Sequence, residues 1–174
     1  MDEWIFKSLC AMTYGLYVVS SCDGEKLNGQ ITNTVFQVTA DPARVAVGVN
    51  KKNLTHDYIE KTGRFSVSVL KQETPMLFIG LFGFKSGRDI NKFEKTGYKK
   101  YESGVPFLLE NSLAAMEITV EQSVDLGTHT LFIGSVVKGE KISDGPALTY
   151  DYYHNVMKGK TQKNATTYNV ETSS

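Results

Sequence analysis

Asn28-Gly-Gln-Ile-Thr-Asn-Thr-Val-Phe-Gln-Val-Thr39, followed by Asp41-Pro42 and then Arg44-Val-Ala-Val-Gly-Val49, decides the fold. Val35 to Thr39 is rich in β-branched and aromatic residues and stops at a turn dipeptide, as a strand does. Val45, Val47 and Val49 alternate with Ala46 and Gly48, and small residues on that second face imply close packing there. Upstream, Leu16 to Cys22 has the same character and ends at the turn signal Asp23-Gly24. Antiparallel strands joined by tight turns therefore open the chain.

Further along, Asn53 is placed to cap a helix whose apolar positions Leu54, Tyr58 and Ile59 precede Gly63. Phe65 to Leu70 returns to alternation. Thr74-Pro75 suits the start of a second helix through Phe82, ended by Gly83. Gly83 to Gly104, rich in Gly, Lys and Arg, reads as a long excursion of the functional kind, holding one helical turn at most. Ala114, Met116, Ile118 and Val120 then alternate with Ala115, Glu117, Thr119 and Glu121, which predicts a strand with one wet face. Thr130 to Val137 is apolar on both sides, as in a central or interface strand. About six strands, two short helices and no βαβ rhythm predict a mainly β, antiparallel barrel with helices at its rim. Residues 1–160 are expected to form this domain, and 161–174 a polar tail that packs weakly if at all.

The whole chain narrows the partners. It has 174 residues, with 19 Lys+Arg against 19 Asp+Glu, so a nucleic-acid backbone is not the expected partner. Cys10 and Cys22 are too few and too far apart for a zinc ribbon, a redox pair or a disulfide scaffold, which favours the cytoplasm. MDEWIFKSLC carries acids where a signal peptide is basic, and the longest apolar run, Met76 to Phe84, is too short to cross a membrane. No HExxH, paired-carboxylate, GxSxG, Walker or dinucleotide fingerprint is present, and no metal site is expected.

Three constellations remain. Asn28 to Thr34 sets Asn28, Gln30, Thr32, Asn33 and Thr34 on or beside a strand, where neutral hydrogen-bonding groups suit a ligand rich in carbonyls, ring nitrogens and hydroxyls; a solvated polar hairpin has the same composition. Asn50-Lys-Lys-Asn-Leu-Thr55 sits where a strand ends and a helix begins. Backbone N–H groups there, with Lys51 and Lys52, favour a phosphate, or the stretch is a basic turn that caps the helix. Phe82-Gly-Phe-Lys-Ser-Gly-Arg-Asp89 offers Lys85 and Arg88 to an anion and Phe82 or Phe84 to a planar ring, or forms a surface loop. Among the histidines, His129 in Gly127-Thr-His-Thr130 is poised to touch a substrate or to close a turn, His154 lies in an aromatic segment, and His56 is expected on a solvated helix face.

Taken in order, Tyr14 to Val19, Asn28 to Thr39, Asp41-Pro42, Val49 to Thr55, Phe65 to Leu70, Ser86 to Asp89 and Gly127 to Gly134 resemble the flavin reductase-like FMN-binding split-barrel family. The flavin domain of high-molecular-weight rubredoxins and the flavoredoxins are the nearest look-alikes, and Leu148 to His154 with Lys158-Gly-Lys160 is similar to the former. The resemblance implies an antiparallel split β-barrel with short flanking helices, assembled as a homodimer with FMN, in preference to FAD, held noncovalently near the subunit interface. It implies that Thr32-Asn33-Thr34, with Asn28 and Gln30, line the isoalloxazine and ribityl chain. Asn50, Lys51, Lys52, Asn53 and Thr55 would lie near the phosphate, Ser86 and Arg88 at the phosphate end, and Phe84 beside the ring. His129 occupies the position of a family Gly-Asp-His triplet that here reads Gly127-Thr128-His129, and would position a nicotinamide. The implied activity is an FMN-dependent NAD(P)H oxidoreductase, with NADH or NADPH as donor and a rubredoxin-like or other redox protein as acceptor. The alternative is a flavin-binding store or sensor without turnover, which the Thr128 substitution favours.

Overall fold

The computed structural model describes residues 2–168. Its frame is a seven-stranded antiparallel sheet formed by β1 (Tyr17–Asp23), β2 (Lys26–Thr32), β3 (Val35–Ala40), β4 (Ala43–Asn50), β5 (Arg64–Leu70), β8 (Ser112–Asp125) and β9 (His129–Lys141). A separate two-stranded hairpin pairs β6 (Tyr98–Lys100) with β7 (Pro106–Leu108). The main strand order is β2-β1-β5-β8-β9-β4-β3. β2 and β3 therefore stand at opposite ends of the order, yet only Asn33 and Thr34 separate them in the chain. Three peptide steps span at most roughly 10 Å. The sheet has to curl until its two edges meet, and since those edges share no ladder it is a barrel split along one seam, as the sequence led us to expect.

The curl gathers the alternate residues of distant strands into one core. Val19 of β1, Val45, Val47 and Val49 of β4, Phe65 and Val67 of β5, Ile118 and Phe132 pack in a single buried cluster. α2 (Leu54–Thr62) contributes Ile59 to it and ends at Gly63, whose φ of +65° closes the last turn with a bond from its N–H to the Ile59 carbonyl. A second core lies on the other face of β1, where Leu16, Val18 and Leu70 meet Phe78, Ile79 and Phe82 of α3 (Met76–Phe84), Phe93 and Leu148.

Several local expectations need correction. His56 is buried, not solvated: α2 lays its Thr55, His56, Tyr58 and Ile59 face inward, and the His56 ring meets Thr130 Oγ1 at 2.8 Å and packs beside Phe132. Glu117 was expected on a wet face and is also buried, because the β6–β7 hairpin covers that face. Ser103 Oγ donates to the Glu117 carboxylate, and Arg64 Nη1 lies 3.6 Å from it. The hairpin is held by hydroxyls that alternation alone assigned to the polar side of β5: Ser66 donates to the Pro106 carbonyl at 2.5 Å and Ser68 accepts from the Leu108 N–H. α3 runs one residue past Gly83 to Phe84. An N-terminal helix, α1 (Glu3–Cys10), was not expected; Asp2 caps it by accepting from the Trp4 and Ile5 N–H groups, and none of its residues is buried.

β9 lies close against β8 at Gly134, where an added Cβ would stand 2.2 Å from the Thr119 carbonyl oxygen and 2.7 Å from Ile118 Cγ2. Gly134→Ala is expected to cost about 1–3 kcal/mol through overpacking against backbone. Chemical denaturation of the two chains measures it, and a loss within error would show that the strands can part there.

Candidate functional site

The seam is where the polar residues collect. Along β2, Asn28, Gln30 and Thr32 follow a spacing of two and share one face, and all three are buried. Asn28 Nδ2 donates to Thr55 Oγ1 at 2.9 Å, and Asn28 Oδ1 faces Gly87. That oxygen and Gln30 Oε1 are buried without a hydrogen-bond partner. Buried acceptors left unpaired are costly, so two on one strand mark a surface shaped for donors from elsewhere. Thr32 and Thr34 hydroxyls lie 3.3 Å apart, and Thr34 Oγ1 donates to the Gly48 carbonyl, tying the β2–β3 link to β4.

Across the seam, β4 ends at Asn50, which pairs in register with His129 at the start of β9. His129 Nδ1 meets Thr128 Oγ1 at 2.8 Å, while its Nε2 is buried. Burial pushes the His129 imidazole down, a bond with the Asn164 backbone acting in the other direction. Asn50 Oδ1 accepts from the Lys52 N–H and the Asn50 carbonyl from the Asn53 N–H, shaping the turn that starts α2. Asn53 stands at the N-cap position but its side chain caps nothing; it accepts from Asn164 Nδ2 instead.

Two adjoining clefts open from these elements. The first, about 520 Å³, is lined by Gln30, Thr32, Asn33, Asn50 and His129, by Phe84, and by Tyr150 and Tyr153. The second, about 580 Å³, is lined by Asn28, Lys52, Asn53, Thr55 and the Phe84-Lys-Ser-Gly87 stretch, with Lys92. Gln30, Gly83, Phe84, Gln162 and Asn164 belong to both. No carboxylate lines either cleft among the described residues, and the second carries Lys52, Lys85 and Lys92 beside the first turn of α2, whose N–H groups favour an anion. The arrangement fits an elongated ligand with a neutral, hydrogen-bonding planar end and an anionic end. It also fits the donor chemistry of a flavin mononucleotide, since ribityl hydroxyls and a ring N–H can serve the unpaired Asn28 and Gln30 oxygens.

Thus Asn28, Gln30, Thr32, Asn33, Asn50, Lys52, Asn53, Thr55, Phe84, Ser86 and His129 come together. Thr34, Lys51 and Arg88 stand outside both linings. Lys51 Nζ pairs with Asp125 at 2.6 Å, and with the Gly127 N–H it holds that carboxyl below its usual range. Arg88 Nη2 pairs with Asp57 at 2.8 Å in the first turn of α2. Ser86 Oγ accepts from the Arg88 N–H and so shapes the loop. Gly87 is required by proximity: a Cβ there would fall 2.0 Å from Asn28 Oδ1.

Sequence reading missed Lys92, Tyr150, Tyr153 and the segment after Lys160. Lys92 is one lysine among several in a charged stretch, and nothing local distinguishes it. In the fold its side chain is buried, donating to the carbonyls of Gly29 at 2.8 Å and Phe82 at 3.4 Å, which joins β2 to the end of α3. Burial pushes it down to about 8. Tyr150 and Tyr153 reach the site because Leu148 bonds back to Leu16 and Leu70 and carries the aromatic segment with it. Residues 161–168, expected to pack weakly, bond to several site residues; 169–174 lie outside the described residues.

A family model described as Flavin reductase like domain matches residues 9–159. The chain is 47% identical over 164 residues to a high molecular weight rubredoxin of Moorella thermoacetica, covering 94% of this chain and 72% of that one. It is 46% identical over 157 residues to a ferric-chelate reductase (NAD(P)H) of Archaeoglobus fulgidus, covering 90% and 93%. Among solved structures, an FMN-binding protein from Thermus thermophilus with bound 1-cyclohex-2-enone matches with a TM-score of 0.69 at 28% identity, over 75% of this chain and 72% of that one. Flavoredoxin from Methanosarcina acetivorans shares the fold, with a TM-score of 0.68 at 22% identity over 74% and 69%.

Because folding lowers Lys92, the unfolded chain binds more protons between about pH 8 and pH 10.5, and stability rises with pH through that window. Urea midpoints of the native chain are expected to climb there relative to Lys92→Met, which lacks the group. Parallel profiles would place Lys92 in contact with water.

Proposed function

The chain belongs to the flavin reductase-like domain family, and from that membership we propose that it binds FMN noncovalently and passes electrons from NADH or NADPH to a redox partner. The observation that carries the reading is a cleft walled by uncharged hydrogen-bonding side chains and tyrosines, whose one lysine among the described residues is Lys160, beside a cleft that carries Lys52, Lys85 and Lys92, the two joined at Gln30 and Phe84. The Archaeoglobus relative's name, ferric-chelate reductase (NAD(P)H), supports the donor, and the Moorella relative's name supports a rubredoxin-like acceptor.

Bound flavin would accept a hydride and release electrons singly or in pairs, and the protein supplies orientation and electrostatics. Asn28, Gln30, Thr32 and Asn33 hold the ring edge and ribityl chain through neutral bonds, with Thr34 bracing the link. Lys52, Ser86 and the first turn of α2, with Asn50, Asn53 and Thr55, take the phosphate, and Lys92 and Lys85 add positive charge behind it. Lys51 and Arg88 act at one remove, by fixing Asp125 and Asp57 at the rim. Phe84 packs on the ring. His129 presents its ring to the cleft as a neutral imidazole and positions the nicotinamide; among the described residues its Nδ1 neighbour is the Thr128 hydroxyl and not a carboxylate. The exposed apolar side chains of edge strand β3, Phe36 and Val38, support a homodimer, and the two free cysteines a reducing cytoplasm.

The purified protein is expected to be yellow with about one FMN per chain, and anaerobic NADH or NADPH to bleach it. A colourless protein indifferent to added FMN would overturn the reading, and a yellow one that neither nucleotide bleaches would favour the store or sensor. Lys52→Ala should weaken FMN by about 1.5–3 kcal/mol and leave riboflavin nearly unchanged, since a charge-assisted bond to phosphate is lost. Arg88→Ala, which breaks a rim ion pair, should weaken FMN less. Equal losses of FMN and riboflavin on Lys52→Ala would remove Lys52 from the phosphate.

A further inference from the structure

On the flavin reading, we infer that Gln162 and Asn164 are cofactor-contacting residues, and that the segment carrying them forms the outer wall of the site at its waist. The segment begins beyond residue 159, where the family match stops. Its base is fixed: Tyr153 Oη donates to the Lys160 carbonyl at 2.9 Å, and Gly159 lies so close to the Tyr153 ring that a Cβ would stand 2.1 Å from Cζ. From there the chain runs back across the seam. Thr161 Oγ1 meets Tyr150 Oη at 2.7 Å and His154 Nε2 at 3.1 Å. Asn164 Nδ2 donates to Asn53 Oδ1 at 3.1 Å, Thr166 Oγ1 meets Thr34 Oγ1 at 3.1 Å, and Asn33 Nδ2 donates to Thr167 Oγ1 at 3.2 Å.

These bonds reach both banks of the seam, the β2–β3 link and the turn before α2. Gln162 and Asn164 line the ring cleft and the cationic cleft alike. A ligand that fills both therefore passes between β2 and these two carboxamides. Uncharged amides, each with donors and an acceptor, suit the hydroxylated chain of a flavin. A segment that competed for the ligand's place would satisfy the polar atoms built to hold it. This one bonds to rim residues and, through the Asn164 backbone, to His129, and it leaves Asn28 Oδ1 and Gln30 Oε1 unpaired behind it, as a wall does.

Two variants test this: deletion of residues 161–174, and Gln162→Ala with Asn164→Ala in the full chain. The readouts are flavin fluorescence quenching and the rate of flavin release, for FMN and for riboflavin, with thermal melting of the flavin-free proteins alongside. Contacts at the waist touch the part the two flavins share, so the double variant should lose about tenfold or more in affinity for both, with faster release and an unchanged melting temperature. The deletion should lose at least as much. Unchanged affinity in the double variant, or tighter binding after the deletion, would overturn the wall. A native chain that takes up neither flavin would overturn the flavin reading and this inference with it. Native binding with unaffected variants would overturn this inference alone.

Discussion

The two residues between β2 and β3 constrain everything else. Asn33 and Thr34 join the strands at opposite ends of a seven-strand order, so the sheet must curl on itself, and the curl makes an enclosed core out of valines that are far apart in strand order. Because the joined edges do not pair, the seam keeps side chains and backbone groups that a closed ladder would consume. Thr34 uses its carbonyl and its hydroxyl on Gly48, which anchors the link to β4 and leaves Asn33 and the β2 face looking into the seam. The constraint that shapes the barrel also creates the site.

Charge is then distributed by what each basic group finds nearby. Lys51 and Arg88 sit at the rim, in water, opposite Asp125 and Asp57, and pair with them. Among the described residues, Lys52 and Lys85 face a cleft without carboxylates, and Lys92 is buried behind it, donating to carbonyl oxygens. An anion entering that cleft meets positive charge not already neutralised by protein. A chain with equal numbers of acids and bases can hold such a spot because its acids lie elsewhere, at the rim and under the β6–β7 hairpin.

Residues of the barrel proper were legible from the sequence to the extent that alternation and turn dipeptides report them. β3, β4, β5 and the polar strand β2 lie within a residue or two of where the pattern puts them. Errors came where one element covers another. Glu117 and the serines of β5 look solvent-facing until a hairpin from the long excursion lies over them, and His56 looks solvated until α2 docks on the sheet and its ring meets Thr130 and Phe132. Most candidate site residues were likewise visible as clusters of donors, because a cluster on one strand or one turn is a local property. Lys92, Tyr150, Tyr153 and residues 161–167 were not visible, since each reaches the site by folding back from a separate part of the chain.

What the sequence by itself determined was the set of antiparallel strands, the neutral donors on β2 and the helix-start turn with its lysines, all of them properties of neighbouring residues with period two or three to four. The tertiary structure alone decided which lysines face the cleft and which are spent in rim ion pairs, which polar atoms are left unpaired, and that the last described segment closes over the seam. Those outcomes depend on distances between residues far apart in the chain, and such distances exist only once the link between β2 and β3 has drawn the edges of the sheet together.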